Sequence, residues 1–369
     1  MTERIMHYVP VDIIYRFMRD FFVKVGTPED DAAICADVMI ASDLRGIESH
    51  GIGRLRYYYN RIISGQHDVK TPMQVVRDGA TTAVIDGNHG LGMVISKRAM
   101  QMAIEKARVH GMASVAVRNS THFGIAGYYP MMAVEQGMIG LTVTNSRPSM
   151  SPTFGVEPLL GTNPIAFGAP TDEPFPFIFD AATPIAQRGK IEVLARNGEE
   201  IPDGWVIDSK GRTVTSPAVA MASFEKRQAS FLPLGGAGET LSGHKGFGLG
   251  TMVEILSASL QTGSFLTDLS GVDASGNPQP FRIGHYFLAI NIENFTDLET
   301  FKLTTGNILR QLRNSNKEPG QSRIYTAGEK EFEKEKEVRA KGIKIIPKLQ
   351  DDIVFLRDRL ELSEIAFPF

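Results

Sequence analysis

Near residue 82 the hydrophobic patterning of this 369-residue chain changes period. Before that point apolar residues recur at helical spacing. After it, short β-branched runs alternate with helical ones. From Val11 to Val25, Ile13, Ile14, Phe17, Phe21 and Phe22 share one helical face. Thr27-Pro28-Glu29-Asp30 follows. Thr27 suits an N-cap, Pro28 the first helical position, and the two acids the positive end of the dipole. This predicts a second helix reaching about Leu44, and a third runs from near Arg54 to Gly65. Beyond residue 82, TAVIDG (82–87), ASVAV (113–117), MIGLTVT (138–144), PIAFGAP, PFIFDA and HYFLAINI (285–292) read as strands. Helices fall at Met93–Val109, stopped by Gly111, at Gly127–Gln136, stopped by Gly137, and at Phe247–Leu260. This predicts a sheet with helices packed against it, an α/β (mixed α+β) fold. Residues 196–243 and 263–280 read as loops, 329–342 as a charged solvated helix, and Asp352–Leu362 as a last amphipathic helix.

Several function classes are unsupported. No G-x-G-x-x-G follows a strand: Gly246-Phe247-Gly248-Leu249-Gly250 and Gly236-Ala237-Gly238 have the wrong spacing. Walker A and G-x-S-x-G are missing too, so no ordinary Rossmann site, P-loop or serine-hydrolase elbow is expected. One cysteine, Cys35, forbids an intramolecular disulfide and the paired-cysteine metal sites. No metal is expected. A net charge of -3 without a long basic run gives no pull toward nucleic acid or an anionic membrane. No stretch approaches the ~18–20 apolar residues of a membrane helix, and MTERIMHYVPVDIIYRFMRD carries charge inside its apolar pattern. The expectation is no signal peptide and a cytoplasmic protein.

Six polar segments stand out. Asp43 to Arg54 crowds charge, glycine and His50 into the turn between two helices. It reads either as a reactive corner or as a helical corner stitched by Arg45 and Asp43. Arg118 to Gly124 carries His122 between a strand and a helix, where α/β sheets gather ligands, though a capping histidine fits as well. Thr144-Asn145-Ser146 ends one strand, Gly161-Thr162-Asn163-Pro164 enters another, and Phe179-Asp180-Ala181-Ala182-Thr183 puts a carboxylate at a strand end. Gly243-His244-Lys245-Gly246 opens a helix, a place suited to a pyrophosphate or merely to close packing. Histidine exchanges protons near neutral pH and arginine grips carboxylates bidentately. Together with a phosphate-friendly loop, they suit hydride transfer to a 2-keto acid.

DLRGIESHGIGRL, NSTHFGIAGYY, GMIGLTVTNS, LLGTNPIAFGAP, FDAAT, IPDGWVIDSKGR, LPLGG, GHKGFGLGTMVEIL, HYFLAINIENF and AGEKEFEKEKEVRAKGI occur in this order over nearly the whole chain. In these segments the sequence resembles the malate/L-lactate dehydrogenase family, whose fold is not Rossmann. Its relatives include sulfolactate, ureidoglycolate and diketogulonate oxidoreductases. The resemblance implies a non-Rossmann NAD(P)-binding fold and a homodimer. It implies a helical domain of residues 1–80 plus 325–369, and a mixed-sheet cofactor domain of residues 81–324. His122 and His50 become the acid/base candidates, with Arg54, Ser49 and Tyr58 on the substrate. Ser146, Phe179, Asp180, Ala181, Ala182, His244, Lys245, Gly328 and Glu329 fall on cofactor contacts. Ala327 stands where the family has proline, which predicts a looser turn, and the segment around 265–280 is longer than expected. The implied activity is hydride transfer between NAD or NADP and a small 2-hydroxy acid, foremost malate. A reductase of a related keto acid (lactate, sulfolactate, ureidoglycolate or diketogulonate type) is the alternative. So is a catalytically silent binding protein of the same fold.

Overall fold

The computed structural model describes residues 5–273 and 275–369. Residues 1–4, at the head of the stretch read for a leader, and residue 274, inside the long 265–280 segment, lie outside the described residues. The chain opens with β1 (His7–Val9), α1 (Val11–Lys24), α2 (Glu29–Leu44) and, after a 3-10 turn at Ile52–Arg54, α3 (Leu55–Ile63). Next come β2 (Gln74–Asp78), β3 (Thr82–Asp86), α4 (Gly92–His110), β4 (Met112–Ser120), α5 (Tyr128–Val134), β5 (Met138–Thr144), β6 (Ile165–Ala169) and β7 (Phe177–Ala181). A small insertion follows: α6 (Arg188–Asn197), β8 (Val206–Asp208), α7 (Pro217–Glu225) and β9 (Ala229–Phe231). The chain finishes with α8 (Gly243–Ala258), β10 (Ile283–Asn291), α9 (Leu298–Arg313), α10 (Glu329–Lys341), β11 (Ile343–Ile345) and α11 (Pro347–Arg359).

Seven strands form the central sheet in the order β2-β3-β4-β10-β5-β6-β7. Only β3 and β4 run parallel, joined by the α4 crossover; every other neighbouring pair is antiparallel. This is a mixed sheet without the parallel doubly wound order, as the absent glycine fingerprint predicts. The late strand β10 inserts between β4 and β5, burying His285, Phe287 and Ala289 at the middle of the sheet. Ala99, Met100, Ala103 and Ile104 of α4 pack on it with Tyr129. A second core joins the two ends of the chain: Phe17, Phe21, Met39 and Tyr58 pack with Val338, Ile353 and Leu356, and β1 pairs with β11.

Four local expectations need correction. Pro28, not Thr27, occupies the cap position of α2, and the Thr27 hydroxyl is buried without a partner. The first eighty residues are not wholly helical: β2 pairs at the sheet edge, exposed along its length, so no buried face marked it. Residues 196–243 are not just loops. They hold α7, capped by Ser216 with Pro217 at its start, and the three-residue strands β8 and β9. Helix α9 was unforeseen; it buries only Gly306 and Leu309 and is announced chiefly by its Asp297 cap. Among the described residues no helix is long and apolar enough to cross a membrane.

Candidate active site

The corner between α2 and α3 is built around a buried carboxyl group. Asp43 accepts the backbone N–H of Ile52 at 2.8 Å. A Cβ on Gly51 would fall 1.8 Å from Asp43 Oδ1, so the chain passes there only as glycine. Burial pushes the Asp43 carboxyl up to about 8. Asp43 therefore pins the turn through a backbone amide, rather than through an ion pair with Arg45. The turn presents Ser49, His50 and Arg54 to a cavity of about 1400 Å³ that also reaches His122 and Ser146.

His122 follows β4. Gly92 allows α4 to start against this loop, since a Cβ there would lie 2.2 Å from the Thr121 carbonyl oxygen. The imidazoles of His50 and His122 stack, with centroids 5.4 Å apart and planes at 23°. Ser49 Oγ lies 2.8 Å from His50 Nδ1, and Tyr58 Oη lies 2.7 Å from His122 Nδ1. The Gly124 N–H, which can only donate, also reaches His122 Nδ1 at 3.3 Å. In the neutral ring Nδ1 is thus an acceptor and the hydrogen belongs on Nε2, which has no partner among the described residues. Burial, then the His50 and Arg54 charges, hold His122 well below the ordinary imidazole range. Withdrawal from water and Arg54 bring His50 down to about 3.

Arg54 ends the 3-10 turn with its guanidinium 5.4 Å from the Tyr57 ring centre. Its Nε is buried without a hydrogen-bond partner. Neither Asp43 nor Glu48 pairs with it, and no other described carboxylate does. Tyr58 departs from its expected place on the substrate. It is fully buried behind His122, because its ring packs into the helical core against Phe22 and only its hydroxyl reaches the histidine.

The residues expected on the cofactor form a second group. Ser146, at the end of β5, also lines the cavity and accepts the Thr162 N–H at 2.9 Å. The Thr183 N–H donates to the Thr162 carbonyl at 3.0 Å, and the Leu234 N–H to the Thr183 carbonyl at 2.9 Å. Leu234 in turn abuts Gly246, where a Cβ would fall 2.4 Å from its carbonyl oxygen. This chain of contacts runs from the cavity, past Ala181 and Ala182, to the start of α8. His244 and Lys245 are exposed there, off the cavity wall. Phe179 is exposed on β7, and Asp180 accepts the Gly127 N–H at 2.7 Å, capping α5. Gly328, at φ +91°, brings the Ala327 turn onto β7, whose Ile178 N–H bonds the Ala327 carbonyl at 3.3 Å. Glu329 is buried beside Arg323 and 3.7 Å from Arg313.

Sequence reasoning missed the groups that bind these pieces together. Glu254, inside α8, accepts from Asn145 at 3.2 Å, from Asn163 at 2.8 Å and from the Leu266 N–H at 3.0 Å. It ties both strand-end turns to α8, and its one signal was a lone acid in an apolar helix. His285 is buried between Thr144 Oγ1 and Ser120 Oγ, each at 2.8 Å, and stacks on Phe123 at 4.6 Å. Among the described residues no acid, histidine and cysteine cluster could hold a metal.

The profile of the family described as malate/L-lactate dehydrogenase matches residues 9–354. The chain is 47% identical to a malate dehydrogenase of Pyrococcus abyssi, over 97% of this chain and 94% of that one. It is 39% identical to an L-sulfolactate dehydrogenase of Methanocaldococcus jannaschii, over 93% and 94% respectively. The crystal structure of malate dehydrogenase from Entamoeba histolytica superposes with a TM-score of 0.95 at 41% identity, covering 99% of this chain and 100% of that chain.

Proposed function

Because the chain belongs to the malate/L-lactate dehydrogenase family, we propose that its substrate pair is malate and oxaloacetate, with His122 as the acid/base and Arg54 as the carboxylate anchor. It is an oxidoreductase that moves a hydride between a nicotinamide cofactor and a 2-hydroxy acid. The observation that carries the residue roles is the Tyr58–His122 hydrogen bond beside an Arg54 whose Nε has no hydrogen-bond partner, with His122 and Arg54 on one cavity.

The chain's own groups suit NAD or NADP. A dinucleotide brings a pyrophosphate, which calls for N–H donors and a cation. The first turn of α8 offers both, with Lys245 exposed and free of any described carboxylate. Gly243 leaves no room for a side chain, since a Cβ would lie 2.0 Å from the Gly236 carbonyl oxygen, so the loop stays tight beneath that turn. We assign the dinucleotide to Lys245, His244, Ser146 and the Phe179–Ala182 strand end, with Gly328 and Glu329 shaping the adjoining turn. When bound, nicotinamide supplies the hydride acceptor or donor.

In oxidation a proton leaves the C2 hydroxyl; in reduction it returns there. His122 Nε2 is the ring nitrogen available for that transfer. The Tyr58 hydroxyl can donate to Nδ1 of the neutral ring and accept from Nδ1–H of the charged ring, so it supports both states. Arg54 grips the C1 carboxylate, and that anion offsets the positive charge that depresses both histidines. His50 stacks on the other ring and limits its rotation.

We read the chain as two parts, residues 1–80 with 325–369 and residues 81–324, and as a cytoplasmic homodimer. The exposed Leu249, Met252 and Ile255 along α8 support an intersubunit contact. The test is a spectrophotometric panel of oxaloacetate, pyruvate and sulfopyruvate with NADH and NADPH. Oxaloacetate reduction with at least one cofactor is expected; no turnover of any keto acid contradicts the reading.

A further inference from the structure

Several arginines elsewhere in this protein are matched with acids, though Arg56 lies over Phe355 and Arg108 bonds Gln136 instead. Arg98 meets Asp31, Arg118 meets Asp86, Arg310 meets Asp172 and Arg313 meets Glu173. The cavity is different. Six arginines, among them Arg54, Arg61 and Arg147, line it, and although Glu48, Glu192 and Glu225 line it too, none of the six has a carboxylate partner among the described residues.

Tyr57 organises the end nearest the histidines. Arg54 lies 5.4 Å and Arg61 5.1 Å from its ring centre, and the His122 ring lies at 6.0 Å. Arg61 has neutral partners: Gln66 Oε1 at 2.5 Å and the Phe281 ring at 5.0 Å. Arg147 directly follows Ser146 at the end of β5. Burial, and after it the Arg61, Arg188 and Arg227 charges, lower its pKa against the opposing Tyr57 phenol. Like-charged guanidiniums around one concavity repel each other, and an anion entering it relieves that repulsion. Arg54 accounts for a single carboxylate. The remaining positive charge calls for a second.

We propose that Arg147, backed by Arg61, forms a second anion subsite in this cavity, which selects 2-hydroxy acids carrying another acidic group at the far end. The inference rests on the dehydrogenase reading above. The ligand class is a short dicarboxylate or a carboxylate-sulfonate. A cofactor phosphate has the same chemistry; Arg54, Arg61 and His122 gather on one tyrosine ring, and Arg147 lines the same cavity. A substrate ending in a methyl group leaves Arg147 unpaired in the cavity, which is the physical basis of the selection.

The experiment measures kcat/KM for oxaloacetate, sulfopyruvate and pyruvate in the wild type, Arg147→Ala and Arg147→Gln, each with NADH and NADPH, alongside thermal melts. Loss of one charge-assisted contact should lower the oxaloacetate and sulfopyruvate values about thirtyfold and the pyruvate value by less than about threefold. Equal losses on all three keto acids overturn the subsite. So does an effect confined to the KM for NADPH, which assigns the arginine to the cofactor's phosphate. If Arg147→Ala melts early, Arg147→Gln decides by the same ratio. A wild type inert toward every keto acid with either cofactor defeats the underlying reading instead, and is thereby distinguished.

Discussion

The Tyr58 hydroxyl lies 2.7 Å from Nδ1 of His122, and the tyrosine side chain is fully buried. Replacing it tests whether it holds the histidine or touches substrate. Tyr58→Phe should lower kcat about tenfold or more, because His122 loses the partner that serves both its ring states. The KM for oxaloacetate should stay close to the wild-type value. A raised KM with unchanged kcat would return Tyr58 to the substrate.

Arg54 has an orphaned Nε and no acid beside it. Lysine keeps the charge but loses the planar fork. Arg54→Lys should cut kcat/KM for malate roughly a hundredfold, about 2.7 kcal/mol, with the melting temperature almost unchanged. A lower melting temperature with normal kinetics in the folded fraction would make the residue structural.

Buried ionisable groups set the pH profile of stability. His67 and His285 are each held near 3 by burial, down from 6.5. Their folded pKa values are depressed, so the stability they contribute is present above 6.5 and is lost as pH falls toward 3. Asp43 acts oppositely: raised from 3.8 to about 8, it withdraws stability as pH climbs across that interval. For these three groups alone, stability rises as pH climbs toward 6.5 and falls above it as Asp43 is drawn toward ionisation. His67 has no partner at either ring nitrogen. His67→Phe should therefore flatten the fall in melting temperature between pH 6.5 and pH 4.5, a window of about two pH units. An unchanged slope would show that His67 titrates normally.

Lys245 stands at the first turn of α8, where phosphate binding would draw on both its charge and the helix N–H groups. Lys245→Ala should raise the Kd for NADH, measured by fluorescence, and the effect should shrink as salt is added. Equal Kd values for mutant and wild type at low salt would remove Lys245 from the cofactor site.

Much of this arrangement was legible because glycine and strand-end motifs act locally. Gly111 does stop its helix with positive φ, whereas α5 ends at Val134 with Glu135 as its cap and Gly137 only closes the turn that follows. His50 and His122, 72 positions apart in the chain, do face one cavity. What stayed hidden depends on contacts between distant segments. Glu254 gathers Asn145 and Asn163 from two separate turns, and nothing in the spacing of either turn points to α8. The burial of Tyr58 follows from α3 packing against α1, so its hydroxyl reads like any polar group near an arginine until that packing is known. The exposed edge strand β2 and the thinly buried helix α9 lack the apolar face on which periodicity depends.

His122 carries the proposed chemistry, so its removal should separate catalysis from binding. The measurement is kcat for oxaloacetate reduction by His122→Ala at saturating cofactor, with the NADH Kd determined on the same preparation. Loss of a positioned acid/base should lower kcat about 10²–10⁴-fold while the Kd stays within about threefold of wild type. A wild-type kcat in that variant would contradict the account.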